Sequence, residues 1–88
     1  MSMIIAAKEA KAYITANDVD GLKSFYEDIK NTPQMDWEYI FKECYLHACL
    51  KKRQSIVDWL QGLFDTFDPI SKIGLRQLFS YGKYLLHK

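Results

Sequence analysis

"YLHACLKKRQSIVDWLQGLF", residues 45–64, decides how this chain is read. A histidine stands two residues before a cysteine, and a basic triplet follows. Ile56, Trp59, Leu60, Leu63 and Phe64 then recur at helical spacing. Three readings compete: a His–Cys site, a grip on phosphates, and a hairpin of two helices. On one helix His47 and Cys49 point about 200° apart and cannot share a ligand. Cys44 and His47, three apart, do share a side. Structural zinc takes four ligands, however, and the only other histidine is His87. Nucleophilic Cys–His catalysis also needs an orienting group and oxyanion donors, and no motif supplies them. A core thiol beside a surface or turn histidine is the better reading. The expectation is a protein with no catalytic, metal or cofactor site.

The helical pattern extends outward from this segment. Two prolines and four glycines are present in 88 residues, and no run alternates with period two over a strand length. "IIAAKEAKAYITA" is Ala-rich and forms a first helix. "ND" at 17–18 interrupts it, and Asn17 is the expected cap of the next helix, with Asp20 three residues on. Val19, Leu22, Phe25, Tyr26 and Ile29 mark one face of that second helix. After "KNTP", two starts are open: Thr32 as cap with Pro33 in the first helical position, or an extended "NTPQMD" with Asp36 as cap. The third helix has the strongest stripe: Trp37, Ile40, Phe41, Cys44, Tyr45 and Ala48. Leu46, Cys49 and Leu50 add a second apolar side, which predicts a central helix contacted from two directions. "TFDP" ends the fourth helix, with Asp68 capping and Pro69 opening the fifth. Ile70, Ile73, Leu75, Leu78, Phe79, Leu85 and Leu86 are its apolar set, and Gly82 is an expected break near Ser80–Tyr81.

A chain of 88 residues makes one domain. Its 49% hydrophobic and 15% aromatic content excludes a disordered chain. A net charge of +1 provides no global drive toward nucleic acid or an anionic membrane. The halves differ in sign: −3 over residues 1–44 and +4 over residues 45–88. Cys44 and Cys49 point about 140° apart on a helix and cannot pair locally. Reduced thiols fit a cytoplasmic protein. "MSMIIAAKEAKAYI" meets Lys8, Glu9 and Lys11 too soon for a signal peptide. No segment reaches the roughly 20 apolar residues that span a bilayer.

Overlaid on itself, the chain matches at an offset of 35 residues: "AYITANDVDGLKSFYEDI" (12–29) against "HACLKKRQSIVDWLQGLF" (47–64). Asn17–Asp18 meets Lys52–Arg53 at the turn, and Phe25 meets Leu60. A period of this length in paired helices marks a stacked repeat, because one hairpin cannot bury its own apolar face. The expected architecture is all-α with about five helices. Two stacked antiparallel hairpins, about 3–31 and 36–67, are followed by a capping helix at about 69–87.

Ala48-Cys49, then Ile56-Val57 and Leu60 across a turn, resemble an ankyrin repeat. "ANDVDGLKSFYED" is similar to that family's divergent N-terminal form. The family's turn glycine is replaced by Asn17 and Lys52, the Thr-Pro-Leu-His start is missing, and Leu46 stands at the family histidine's position. The copies are about as divergent as those of large DNA viruses, so a viral or host-interaction factor is implied. The resemblance also implies a partner-facing surface on loop 31–36 and the exposed side of helix 37–50.

The function expected is therefore that of a small protein–protein interaction module. Asp36, Glu38, Tyr39, Lys42, Tyr81 and Tyr84 are the candidate protein-binding residues, since tyrosines off the main stripe suit interface hot spots. The alternative is a nucleic-acid contact through Lys51, Lys52, Arg53, Arg76 and Lys83, with Tyr81 and Tyr84 for stacking. A helix-turn-helix over 37–67 is disfavoured because "SIVDWLQGLFDTF" is mostly apolar. Self-association is a third reading. The paired carboxylates Asp18/Asp20, Glu27/Asp28 and Asp65/Asp68 suit helix ends and an exposed face, and the glycines form no phosphate loop.

Overall fold

A computed structural model describes residues 3–33 and 35–88. Five helices follow one another: α1 (Met3–Thr15), α2 (Val19–Ile29), α3 (Trp37–Leu50), α4 (Gln54–Phe64) and α5 (Pro69–Leu86). There is no strand among the described residues. Carboxylate caps set three of the starts. Asp18 accepts from Gly21 N, Asp36 from Tyr39 N and Asp68 from Ser71 N, at 2.9, 3.1 and 2.9 Å, each satisfying an otherwise unpaired first-turn amide. Asp36 thus takes the start of α3, and Thr32 and Pro33 lie in the loop before it.

Asn17 is not the cap of α2. It has φ 56°, and Asp18 caps in its place. Asn17 closes α1 in the left-handed conformation, which Asn tolerates better than most residues. Gly82 does not break α5, which runs through it to Leu86. Glycine is needed there for closeness instead. A Cβ at Gly82 would collide with the Tyr45 ring and lie 3.0 Å from Cys49 Sγ.

The 35-residue offset is a structural register. Moved by 35 residues, Val19–Ile29 falls on Gln54–Phe64, the bounds of α4. Both hairpin turns have the same bonds. Asp18 N donates to Tyr13 O and Arg53 N to Ala48 O, each at 2.9 Å. Asn17 N donates to Ile14 O at 3.0 Å, and Lys52 N to Cys49 O at 3.1 Å. Asn17 and Lys52 have φ 56° and 58°. This is the double-bonded ending of a Schellman motif, twice, 35 residues apart. Asp18 and Arg53 also share one backbone conformation, φ −93°, ψ 82° and φ −92°, ψ 80°.

α3 packs between α1 and α5, and α2 and α4 lie against α1 and α3. The molecule is therefore two stacked hairpins followed by one further helix. Each helix of the α1–α3–α5 layer has a row toward the next. Ala6, Ala10 and Ile14 form the row of α1, all buried. Ala10 lines a small apolar cleft of about 20 Å³ with Ile40, Phe41 and Cys44 of α3. The equivalent row of α3, 35 residues on, is Phe41, Tyr45 and Cys49, again buried. α5 covers it: Phe79 stands 4.9 Å from the Tyr45 ring and 6.4 Å from Phe41, both edge-on. Phe64 and Phe67 complete that aromatic cluster. Tyr26 links the outer helices, 5.7 Å edge-on from Trp59.

Two members of the apolar set expected on α5 leave the core. Ile70 and Ile73 are 82% and 69% exposed. Leu50, expected to add to the second apolar side of α3, is also exposed. The reason is positional. For Ile70 and Ile73, no helix among the described residues packs on that side of α5.

Candidate functional site

The basic triplet sits at the end of α3, where three helix C-termini meet. Lys51 is exposed at the C-cap. Lys52 Nζ donates to the carbonyl oxygens of Leu85 and Leu86, each at 3.0 Å, capping α5. Arg53 Nη2 donates to Thr15 O at 2.7 Å and Nε to Ile14 O at 3.3 Å, capping α1. Helix C-termini carry unpaired carbonyls and partial negative charge, so cations bind them well. Of the five candidate nucleic-acid residues, Lys52 and Arg53 therefore have intramolecular partners. Arg76 and Lys83 lie exposed on α5. These contacts also show that α1, α3 and α5 run parallel, with their C-termini together.

His47 joins the same meeting point, its Nε2 2.8 Å from Thr15 Oγ1. Burial, then the neighbouring charges of Lys11 and Lys51, hold its pKa below 6.5. Lys11 pairs with Glu43 at 3.1 Å across α1 and α3 and holds that carboxyl below its ordinary range. Cys44 and Cys49 are both free and buried. Burial pushes the Cys44 thiol up to about 12 and raises Cys49 too, which opposes the thiolate that nucleophilic attack requires. No group of three or more His, Cys, Asp or Glu among the described residues is arranged to hold a metal ion.

The candidate protein-binding residues divide. Asp36 is engaged as the cap of α3. Tyr39 is half-buried against the core. Glu38 is exposed and its carboxylate lies over Gly74 of α5. Lys42 and Tyr81 line one groove between α3 and α5, with Leu46 and Leu78. Tyr81 and Tyr84 stack on each other, centroids 6.3 Å apart, and both are exposed. Tyr81 also reaches a second groove, with Leu46, Leu50, Leu85 and His47. Loop 31–36 includes Gln34, which lies outside the described residues.

Sequence reading missed Leu50, Ile70 and Ile73 as surface residues. Their apolar identity and helical spacing placed them inside. For Ile70 and Ile73 the usable signal was the repeat itself: no helix among the described residues follows α5 to cover its forward row.

The cleft of about 20 Å³, lined mainly by apolar and aromatic side chains, is far smaller than a ligand pocket. No helix among the described residues is long and apolar enough to cross a membrane. Comparison with family models, with curated proteins and with solved structures returned no significant match.

Proposed function

We propose that this chain is a protein–protein interaction module built as a short ankyrin-like stack. It works by presenting a rigid helical surface, without chemistry of its own. One observation carries the reading. Tyr81 and Tyr84 form an exposed stacked pair on a helix whose opposite side is locked into the core by Phe79 and Gly82. Tyrosines held rigidly on a helix lose little conformational entropy on binding and offer large contact area. Leu50 and Lys42 border the same grooves. The ankyrin-like relationship is supported by the repeated turn and its 35-residue register. The nucleic-acid alternative is weakened because Lys52 and Arg53 already bind helix carbonyls.

The test is affinity capture with quantitative mass spectrometry, comparing the wild type with Tyr81→Ala/Tyr84→Ala. A protein retained by the first and lost from the second supports the reading. Retention of nothing but the bait, together with nanomolar binding of a duplex or single-stranded oligonucleotide, sinks it.

A further inference from the structure

We infer that the outer face of α5 docks an amphipathic helix of a partner protein, one that carries acidic residues along one edge, as the next member of the α1–α3–α5 layer. This rests on the interaction reading above and names the chemistry of the partner.

The repeat register says what kind of element belongs there. The row Ala6, Ala10, Ile14 of α1 is covered by a helix, and the row Phe41, Tyr45, Cys49 of α3 is covered by a helix. Moved by a further 35 residues, the row becomes Arg76, Ser80 and Tyr84, all exposed. Around it Ile70, Ile73, Gln77, Ser80 and Tyr84 follow a 3-4-3-4 spacing. That places them within an arc of roughly 100° over about 21 Å of helix. Such a stripe is the seam of helix–helix packing. Ile70, Ile73 and Tyr84 are 82%, 69% and 61% exposed.

Charge says what kind of helix. Between Pro69 and Leu86 the basic residues are Lys72, Arg76 and Lys83, and there is no Asp or Glu. All three lie along the same flank of the stripe by their spacing on the helix; Arg76 and Lys83 are exposed there, while Lys72 Nζ lies over the Phe64 ring, 5.7 Å from its centroid. An acidic edge on the incoming helix complements that flank. A second copy of this chain fits poorly. Two α5 helices packed antiparallel about Gln77 bring Arg76 against Arg76. A stacked α1 presents Lys8 beside Glu9, its Lys11 being paired with Glu43 of α3. The acidic α2 has its apolar face, Leu22, Phe25 and Ile29, already buried.

The test uses two fluorescent helical peptides of about 18 residues with identical leucine seams, one flanked by Glu and one by Lys. Fluorescence anisotropy is read at about 50 mM and about 300 mM salt. The Glu-flanked peptide is expected to bind at least about ten-fold more tightly, and to weaken with salt. Arg76→Glu/Lys83→Glu should reverse that order. Ile73→Asp should remove binding of both peptides while leaving the circular dichroism melt unchanged, since Ile73 is exposed. Equal affinity for the two peptides, or binding indifferent to Ile73→Asp, overturns the inference. So does sedimentation showing a dimer that Ile73→Asp dissolves, because a second copy then covers the face. A captured protein partner whose retention survives both the Ile73 and Arg76/Lys83 variants keeps the interaction reading and overturns this one alone.

Discussion

Arg53 Nη2 donates to the carbonyl oxygen of Thr15 at 2.7 Å, joining residues 38 apart in the chain. Arg53 stands where Asp18 stands in the first hairpin, with the same backbone conformation. Asp18 uses its side chain to cap its own helix, whereas Arg53 makes no such bond and reaches across to α1. The second hairpin gives up a local cap for an interhelical one. Arg53→Ala is expected to destabilise the fold by about 2 kcal/mol, the scale of hydrogen bonds to a charged group. In a domain of this size that lowers Tm by roughly 10 °C. Arg53→Lys should recover only part, since lysine lacks the planar fork. Thermal melts read this directly, and an unchanged Arg53→Ala melt would show that the contact carries no weight.

The paired turns allow a matched comparison. Asn17 and Lys52 share the left-handed conformation, and glycine adopts it freely. Asn17→Gly is expected to be neutral or to stabilise by up to about 1 kcal/mol. Lys52→Gly gains the same backbone relief but loses the ammonium that caps Leu85 and Leu86. That loss costs about 0.5–1 kcal/mol, so the net change should lie near zero. Urea unfolding of the two variants side by side checks the difference. Lys52→Gly stabilising as much as Asn17→Gly would remove the cap from the account.

Two glycines in helix interiors should respond oppositely to alanine. At Gly62 a Cβ meets nothing within 4 Å, so Gly62→Ala is expected to stabilise by up to about 1 kcal/mol through helix propensity. At Gly82 the Cβ enters the Tyr45 ring. Gly82→Ala should destabilise by about 1–3 kcal/mol despite the same propensity gain. Equal effects at both sites would contradict the close packing of α5 on α3.

Stability should fall on mild acidification through His47. Its folded pKa lies below 6.5, so the unfolded chain binds the proton first. Stability is therefore full above about pH 7, declines as pH drops through 6.5, and levels off below the lowered folded value. Glu43, shifted below its ordinary value, stays ionised in this window. Urea midpoints at about pH 7.5 and about pH 5.5 should differ more for the wild type than for His47→Gln. Identical pH dependence in the two proteins would refute the assignment.

Much of the fold was legible because helix formation here is local. The apolar spacing of Ile56, Trp59 and Leu60 and the cap Asp68 act within one or two turns, whereas the start of α3 stayed open between Thr32 and Asp36 until the structure placed the cap at Asp36. At the first turn the local reading failed although the deciding contact was close at hand. Asn17 and Asp18 are both good caps, and the Schellman closure of α1 consumed Asn17, leaving the capping position to Asp18. Gly82 reads as a breaker by propensity. Its role as a point of close approach comes from Tyr45, 37 residues earlier.

By itself the sequence determined that this is an all-helical chain with a 35-residue repeat, because periodicity, caps and turn residues are short-range properties. Only the tertiary structure decided what "KKR" does. Lys52 and Arg53 find their partners on α5 and α1, and a cation at a helix end reads the same whether water or a distant carbonyl receives it. The tertiary structure likewise decided which apolar residues stay outside. Ile70 and Ile73 are patterned as core, and they are exposed because burial depends on a neighbouring helix, and none among the described residues packs there.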